Sequence, residues 1–273
     1  MGVATSAGLA GYHFLVVDDQ EFVRHIVREA LVSSGVRDIE TAINGEEAIE
    51  LIKARSETNP VDSVGPVKPG TISDSVGGFD CVVTDFNMQP VTGLQLLQDI
   101  RTGNTGAPRD TPVALLTAHS DAYLVASALA LDVNAFVLKP VSRFDLLTRV
   151  VRAMKNYSNP KSIAEYTDEV IPGPISSLAL KKHKGAGVAH GVVLDQVAEI
   201  RKSKKKVVPQ PDGSVQSVRL QDVQPGATLL EDVRSGKGVV LLARGTPMTA
   251  QLVDKLLDLK DLPGLTEKIL IQL

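Results

Sequence analysis

Between Tyr12 and Lys155, short apolar runs alternate with stretches in which apolar residues recur every three or four positions. The runs are strand-sized: His13 to Val17, Ile39 to Ala42, Cys81 to Thr84, Val113 to Thr117 and Ala135 to Leu138. Between and after them the helical period appears at Phe22, Ile26, Val27, Ala30 and Leu31, again at Ala48, Ile49, Leu51 and Ile52, and at Leu94, Leu96, Leu97 and Ile100. Two more helices follow from Val125, Leu129 and Leu131, and from Phe144, Leu147, Val150, Val151 and Met154. Such alternation is the signature of βα units on a parallel sheet. It predicts an α/β fold, a doubly wound five-stranded parallel sheet.

Residues 56–78 interrupt this rhythm with "SETNPVDSVGPVKPGTISDSVGG", rich in Pro, Gly and Ser and without a period, and they read as a surface insertion. After Tyr157 the rhythm stops altogether. Residues 156–214 read as a basic, flexible linker with a short helical candidate around Val192 to Ile200. A compact pattern resumes over residues 215–273, where "VQSVRL", "ATLLEDV" and "VVLLA" predict three strands, the last two joined as a hairpin through "SGKG". Thr249 is a natural N-cap for a helix through Leu252, Leu256, Leu257 and Leu259, and "KILIQL" predicts a closing strand. The expected organisation is therefore a domain over 1–155, a linker, and a small C-terminal α+β domain.

A length of 273 residues is consistent with two domains. The longest apolar runs are far below the roughly 20 residues of a membrane helix, and the N-terminus lacks the basic start of a secretory signal, so the expectation is a cytoplasmic protein that does not enter a membrane. The single cysteine, Cys81, excludes an intramolecular disulfide and a cysteine-rich zinc site, and its apolar neighbours predict a buried, inert thiol. Charge is distributed unevenly: residues 1–155 carry 13 Lys/Arg against 19 Asp/Glu, and residues 156–215 carry 9 against 6. This asymmetry separates an acidic module from a basic connection.

In an open parallel sheet, ligands gather beyond the carboxyl ends of the strands. Those ends carry Asp18 and Asp19 after the first strand, Asp85 after the third, Thr117 at the fourth and Lys139 after the fifth. Singly, each has an ordinary explanation as a capping acid, a strand-end hydroxyl or a solvated cation. Jointly they form one rim of three carboxylates, a hydroxyl and an amine. Clustered carboxylates repel unless a cation sits among them, and an oxygen-only donor set selects a hard ion such as Mg2+. The lysine and hydroxyl suit the remaining oxygens of a phosphoryl group, and a carboxylate nucleophile would make the product an acyl phosphate. Asp85, on the central strand of the set, is the candidate nucleophile. His25 and His119 have no metal partner at useful spacing.

The pieces "FLVVDDQEFVR", "CVVTDFNMQPVTG", "VALLTAHSD" and "AFVLKPV" occur in this order. Together they resemble the receiver domain of two-component response regulators, over about half the chain. The resemblance implies a flavodoxin-like, CheY-like receiver in which Asp85 is the phosphoacceptor and Asp18 and Asp19 are the acidic pair of the Mg2+ site, with the main-chain carbonyl of Asn87 facing the metal. It makes Thr117 the switch hydroxyl, Lys139 the phosphate contact and Phe136 the aromatic whose rotation reports phosphorylation. It also implies a cis Lys139–Pro140 bond, a histidine kinase or phosphotransfer protein as donor, and an output face formed by Ala122 to Leu131, Ala135 to Leu138 and Phe144 to Met154. One departure is Gln89, which precedes Pro90 where the family commonly has proline directly after the methionine.

For the C-terminal segment three outputs compete. It is similar to a small accessory domain found beside HD-GYP-type cyclic-dinucleotide phosphodiesterases, through its "PG", "LL" and "GTPMT" features. Yet residues after 155 hold only His183 and His190, with no adjacent His-Asp pair, which argues against a catalytic output. The basic run Arg201 to Lys206 would attract a nucleic-acid backbone, and a DNA- or RNA-binding regulator is the alternative reading. The favoured expectation is a non-catalytic interaction module that acts on a downstream protein or through self-association.

Overall fold

The computed structural model describes residues 9–58, 78–118, 122–155, 160–169, 215–236, 238–260, 265–266 and 268–273. Five parallel strands form the main sheet: β1 (His13–Val17), β2 (Asp38–Ala42), β3 (Cys81–Asp85), β4 (Val113–Thr117) and β5 (Ala135–Leu138). Their order is β2-β1-β3-β4-β5, so the chain reverses its direction of travel at the β1–β3 seam. Five helices connect or follow them: α1 (Glu21–Val32), α2 (Gly45–Thr58), α3 (Gly93–Thr102), α4 (Ala122–Ala130) and α5 (Arg143–Lys155).

Alternation along each strand sorts side chains onto the two faces. Phe14, Val16, Cys81, Val83, Ala114, Leu116, Ala135 and Val137 pack with Val27, Ala30 and Leu31 of α1 and with Leu146, Val150 and Ala153 of α5. Leu15, Val17, Val82, Leu115 and Phe136 pack on the other face with α2, α3 and α4. Strands covered on both faces are apolar throughout, which explains why β3 and β4 read as unbroken runs. Cys81 is among the buried residues, and burial pushes its thiol upward, as expected of an inert side chain.

Helix α3 carries a full capping box, Thr92 with Gln95, and ends on Gly103 in the left-handed conformation. Helix α2 runs on through Ser56, Glu57 and Thr58, which the composition had assigned to the insertion. Residues 59–77 of that insertion, the 192–200 helical candidate and the 201–206 basic run lie outside the described residues. Among the described residues no helix is long and apolar enough to cross a membrane.

The span expected to be linker contains a described helix, α6 (Ile163–Thr167). Its Tyr166 is fully buried, its hydroxyl donates to Asp132 Oδ2 at 2.9 Å, and Gln98 of α3 donates to its carbonyl at 2.7 Å. The C-terminal region forms β6 (Val215–Arg219), β7 (Thr228–Leu229), β8 (Val233–Arg234), β9 (Val240–Leu242), α7 (Ala250–Asp258) and β10 (Lys268–Gln272). The run "ATLLEDV" is not one strand. Its start, β7, pairs with β10, whereas its end, β8, pairs with β9 in the expected hairpin. Strand β10 is central in a sheet ordered β6-β10-β7. Thr249 caps α7 by accepting from the N–H of Leu252 at 3.2 Å.

Leu229, Val233, Leu241, Val253, Leu256, Ile269 and Ile271 of this region join the same apolar cluster as the α3–α4 face of the large sheet. Strand β9 lies against α4, and α7 lies against β5. Within that contact Lys255 of α7 is only 7% exposed. Burial pulls it down to about 8, and Arg101 and Lys161 act in the same direction while Asp132 opposes them. Its ammonium is therefore penalised in full below about pH 8, and the penalty fades as pH rises towards the ordinary value of 10.5. Lys255→Met is expected to stabilise the chain by about 1–3 kcal/mol at pH 7, with the gain shrinking between pH 8 and 10.5. Urea unfolding at both ends of that range checks it, and a variant no more stable than wild type at pH 7 contradicts it.

Candidate functional site: an acidic rim at the β1–β3 seam

Register brings the predicted rim together. Val17 of β1 pairs with Thr84 of β3, so Asp18 follows directly beside Asp85. Asp85 pairs with Leu116, and Thr117 pairs with Leu138, which sets Thr117 and Lys139 in the next places along the same edge. The Lys139 N–H donates to the Thr117 carbonyl at 2.7 Å.

Carboxylate oxygens of Asp18, Asp19 and Asp85 lie within 4.8 Å of one another. Asp18 is fully buried, Asp85 is 6% exposed and Asp19 is exposed. The Lys139 ammonium sits between two of them, 2.7 Å from Asp85 Oδ1 and 2.9 Å from Asp18 Oδ2. Burial pushes the Asp18 carboxyl up and the charge of Asp85 adds to that, against the Lys139 hydrogen bond and the Gln20 N–H. Burial would lower Lys139, but its hydrogen bonds and charge attraction to Asp85 and Asp18 outweigh it and hold the ammonium above its ordinary value.

Two side chains not singled out from the sequence steady this arrangement. Arg24 donates to the Asp18 carbonyl at 2.7 Å, fixing the turn into α1, and Thr84 donates to the Asp85 carbonyl at 3.1 Å. Asn87 is exposed in the following loop and its N–H donates to Asp85 Oδ2 at 3.2 Å. Thr117 is buried and its hydroxyl donates to the Ala118 carbonyl at 3.2 Å. Phe136 is fully buried. His25 is exposed on α1, and His119 lies outside the described residues. Lys139–Pro140 is cis as expected, and so is Gln89–Pro90 in the loop that departs from the common pattern.

Three convergent carboxylates with no nitrogen or sulfur donor fit a hard divalent cation, Mg2+ above all. The bridging lysine makes the same point electrostatically, because the acid pair already holds one positive charge between its members.

A family model described as the response regulator receiver domain matches residues 72–151. The chain is 27% identical over 146 residues to the two-component response regulator ARR9 of Arabidopsis thaliana, a match covering 54% of this chain and 59% of that protein. It is 28% identical over 146 residues to the chemotaxis protein CheY of Treponema pallidum, covering 54% of this chain and 85% of that protein. Among solved structures, the chemotaxis response regulator CheY4 of Vibrio cholerae aligns over 52% of this chain and 98% of its own, at 23% identity and a TM-score of 0.39. The five-stranded N-terminal unit has the strand order of a flavodoxin-like receiver fold, and over residues 72–151 its sequence matches the response regulator receiver domain of the two-component class.

Proposed function

We propose that Asp85 accepts a phosphoryl group from the phosphohistidine of a sensor kinase or phosphotransfer protein in the cytoplasm, and that the C-terminal domain relays the change without catalysis of its own. The observation that carries the reading is the grouping of Asp18, Asp19 and Asp85 around one point with Lys139 bound to two of them. In the transfer, a carboxylate oxygen of Asp85 forms the new bond to phosphorus while the phosphorus–nitrogen bond of the donor breaks, its electron pair leaving with the imidazole. Mg2+, held by Asp18, Asp19, Asp85 and the Asn87 carbonyl, would supply positive charge to the phosphoryl oxygens. Lys139 is already in contact with the nucleophile and has only to turn its ammonium to a phosphoryl oxygen. The Thr117 hydroxyl, bonded for now to its neighbour's carbonyl, follows a second oxygen, and Phe136 adjusts behind it.

A non-catalytic output is consistent with the sequence after residue 155, where the resemblance to a phosphodiesterase-associated accessory domain comes without the His-Asp pair that such an enzyme would need. A downstream protein or a second copy of the chain is then the receiver of the signal. Incubation with a small acyl-phosphate donor and Mg2+ tests the proposal: a base-labile phosphoryl group should appear on the chain and a chelator should prevent it. Labelling that ignores the chelator contradicts it.

A further inference from the structure

Strand β5 is an edge of the receiver sheet, and an edge strand leaves one side of its backbone without a strand partner. At Phe136 both outward groups are nevertheless taken. The N–H donates to Asp258 Oδ2 at 3.1 Å, and the carbonyl accepts from Arg149 Nη1 at 2.7 Å. The other oxygen of Asp258 faces two guanidinium groups, Arg149 at 3.5 Å and Arg152 in direct contact, and Asp254 stands one turn earlier at 3.9 Å from Arg152.

Nothing local favours a carboxylate at position 258. It is the last residue of α7, where the negative end of the helix dipole opposes it, and aspartate is a poor helix former. It is only 2% exposed, and burial raises its carboxyl despite both arginines. Stranding a buried charge is costly, so the contacts made across the domain boundary are what offset it.

We propose that Arg149, Arg152 and the Phe136 N–H form a carboxylate-binding site on the β5 edge of the receiver, that Asp258 of the chain's own C-terminal domain is its occupant, and that this occupancy opposes phosphorylation of Asp85. The last part rests on the phosphoacceptor reading. The C-terminal domain lies on α4 through β9 and on β5 through α7. These are the elements that follow Thr117 and carry Phe136, and in the docked arrangement the Thr117 hydroxyl is turned to Ala118. Drawing Thr117 and Phe136 towards a phosphoryl group pulls on both supports of the docked domain, and by linkage the docked domain resists that movement equally.

Amide hydrogen exchange on the full-length protein tests the site. The Phe136 amide should be protected in the wild type although it faces outward from an edge strand. Asp258→Ala and Arg152→Gln should each cut that protection by about 10- to 100-fold, while β1 and β3 amides keep theirs and the double variant loses little more than the worse single one. Arg152→Gln, on the receiver side, decides the matter if Asp258→Ala unfolds the C-terminal domain. A Phe136 amide that exchanges freely in the wild type, or that neither variant affects, overturns the site. Uptake from an acyl-phosphate donor tests the coupling: Asp258→Ala should be phosphorylated several-fold faster, and an equal or slower rate overturns it. If neither protein takes up the group, the phosphoacceptor reading fails and the coupling with it, whereas the exchange pattern still decides the site.

Discussion

Asp85→Asn should abolish phosphoryl uptake while leaving the receiver folded. A neutral amide has no anionic oxygen to attack phosphorus, and the neighbouring acids do not replace it: Asp18 is fully buried behind the Lys139 ammonium, and Asp19 is placed to ligate a cation from the exposed side. The stability cost should stay small, within about 1 kcal/mol. Losing one carboxylate does not strand Lys139, because Asp18 still holds it at 2.9 Å, and it relieves the repulsion that helps to raise Asp18. Intact-mass measurement after incubation with the donor, alongside a thermal melt, reads both halves. A variant that still takes up the group removes Asp85 from the mechanism.

Gly93→Ala should be the most damaging small substitution in the receiver. Gly93 opens α3 directly after the Thr92 cap, and its N–H donates to the Phe86 carbonyl at 3.2 Å. A Cβ added there would stand 1.9 Å from the carbonyl oxygen of Asp85 and 3.1 Å from Thr84 Oγ1. Neither atom is the free end of a flexible side chain. The first is main chain at the end of a fully buried strand, so relief requires moving the backbone of Asp85 or the start of α3. A loss of about 3–5 kcal/mol is expected in urea unfolding, together with reduced phosphoryl uptake by whatever remains folded. Gly78→Ala is the matched control. Its added Cβ would meet nothing within 4 Å, and the substitution should change stability by no more than about 0.5 kcal/mol. Equal stability of the two variants would mean that the close approach at Gly93 is not what fixes the loop.

The receiver was legible in the sequence because its signals are local and repeated. Cys81 to Thr84 and Val113 to Thr117 are apolar throughout because both faces of those strands are covered, and the rim residues follow from where each such run stops. Thr249 could be placed as a cap because a hydroxyl three residues before Leu252 does its work within one turn. The C-terminal strands were harder. "ATLLEDV" has strand composition from end to end, but its division depends on partners elsewhere: Leu229 faces Ile271, Val233 faces Leu242, and Asp232 between them accepts from the Arg244 N–H. Tyr166 was hidden by its surroundings, since a short helix in a Pro-, Gly- and Lys-rich span gives little local signal, and the Asp132 and Gln98 contacts that hold it come from distant parts of the sequence. Asp258 is the extreme case. Its aspartate looks like a surface residue at the end of an amphipathic helix, and only the fold brings it to Arg149 and Arg152.

The central claim is that one carboxylate, Asp85, carries the phosphoryl group. Borohydride reduction of the phosphorylated protein, which traps an aspartyl phosphate as homoserine, followed by peptide mapping, tests that claim most directly. The account predicts the reduced residue at position 85 and an unmodified Asp18 and Asp19. Reduction at Asp18, Asp19 or any other carboxylate, with Asp85 intact, would contradict it.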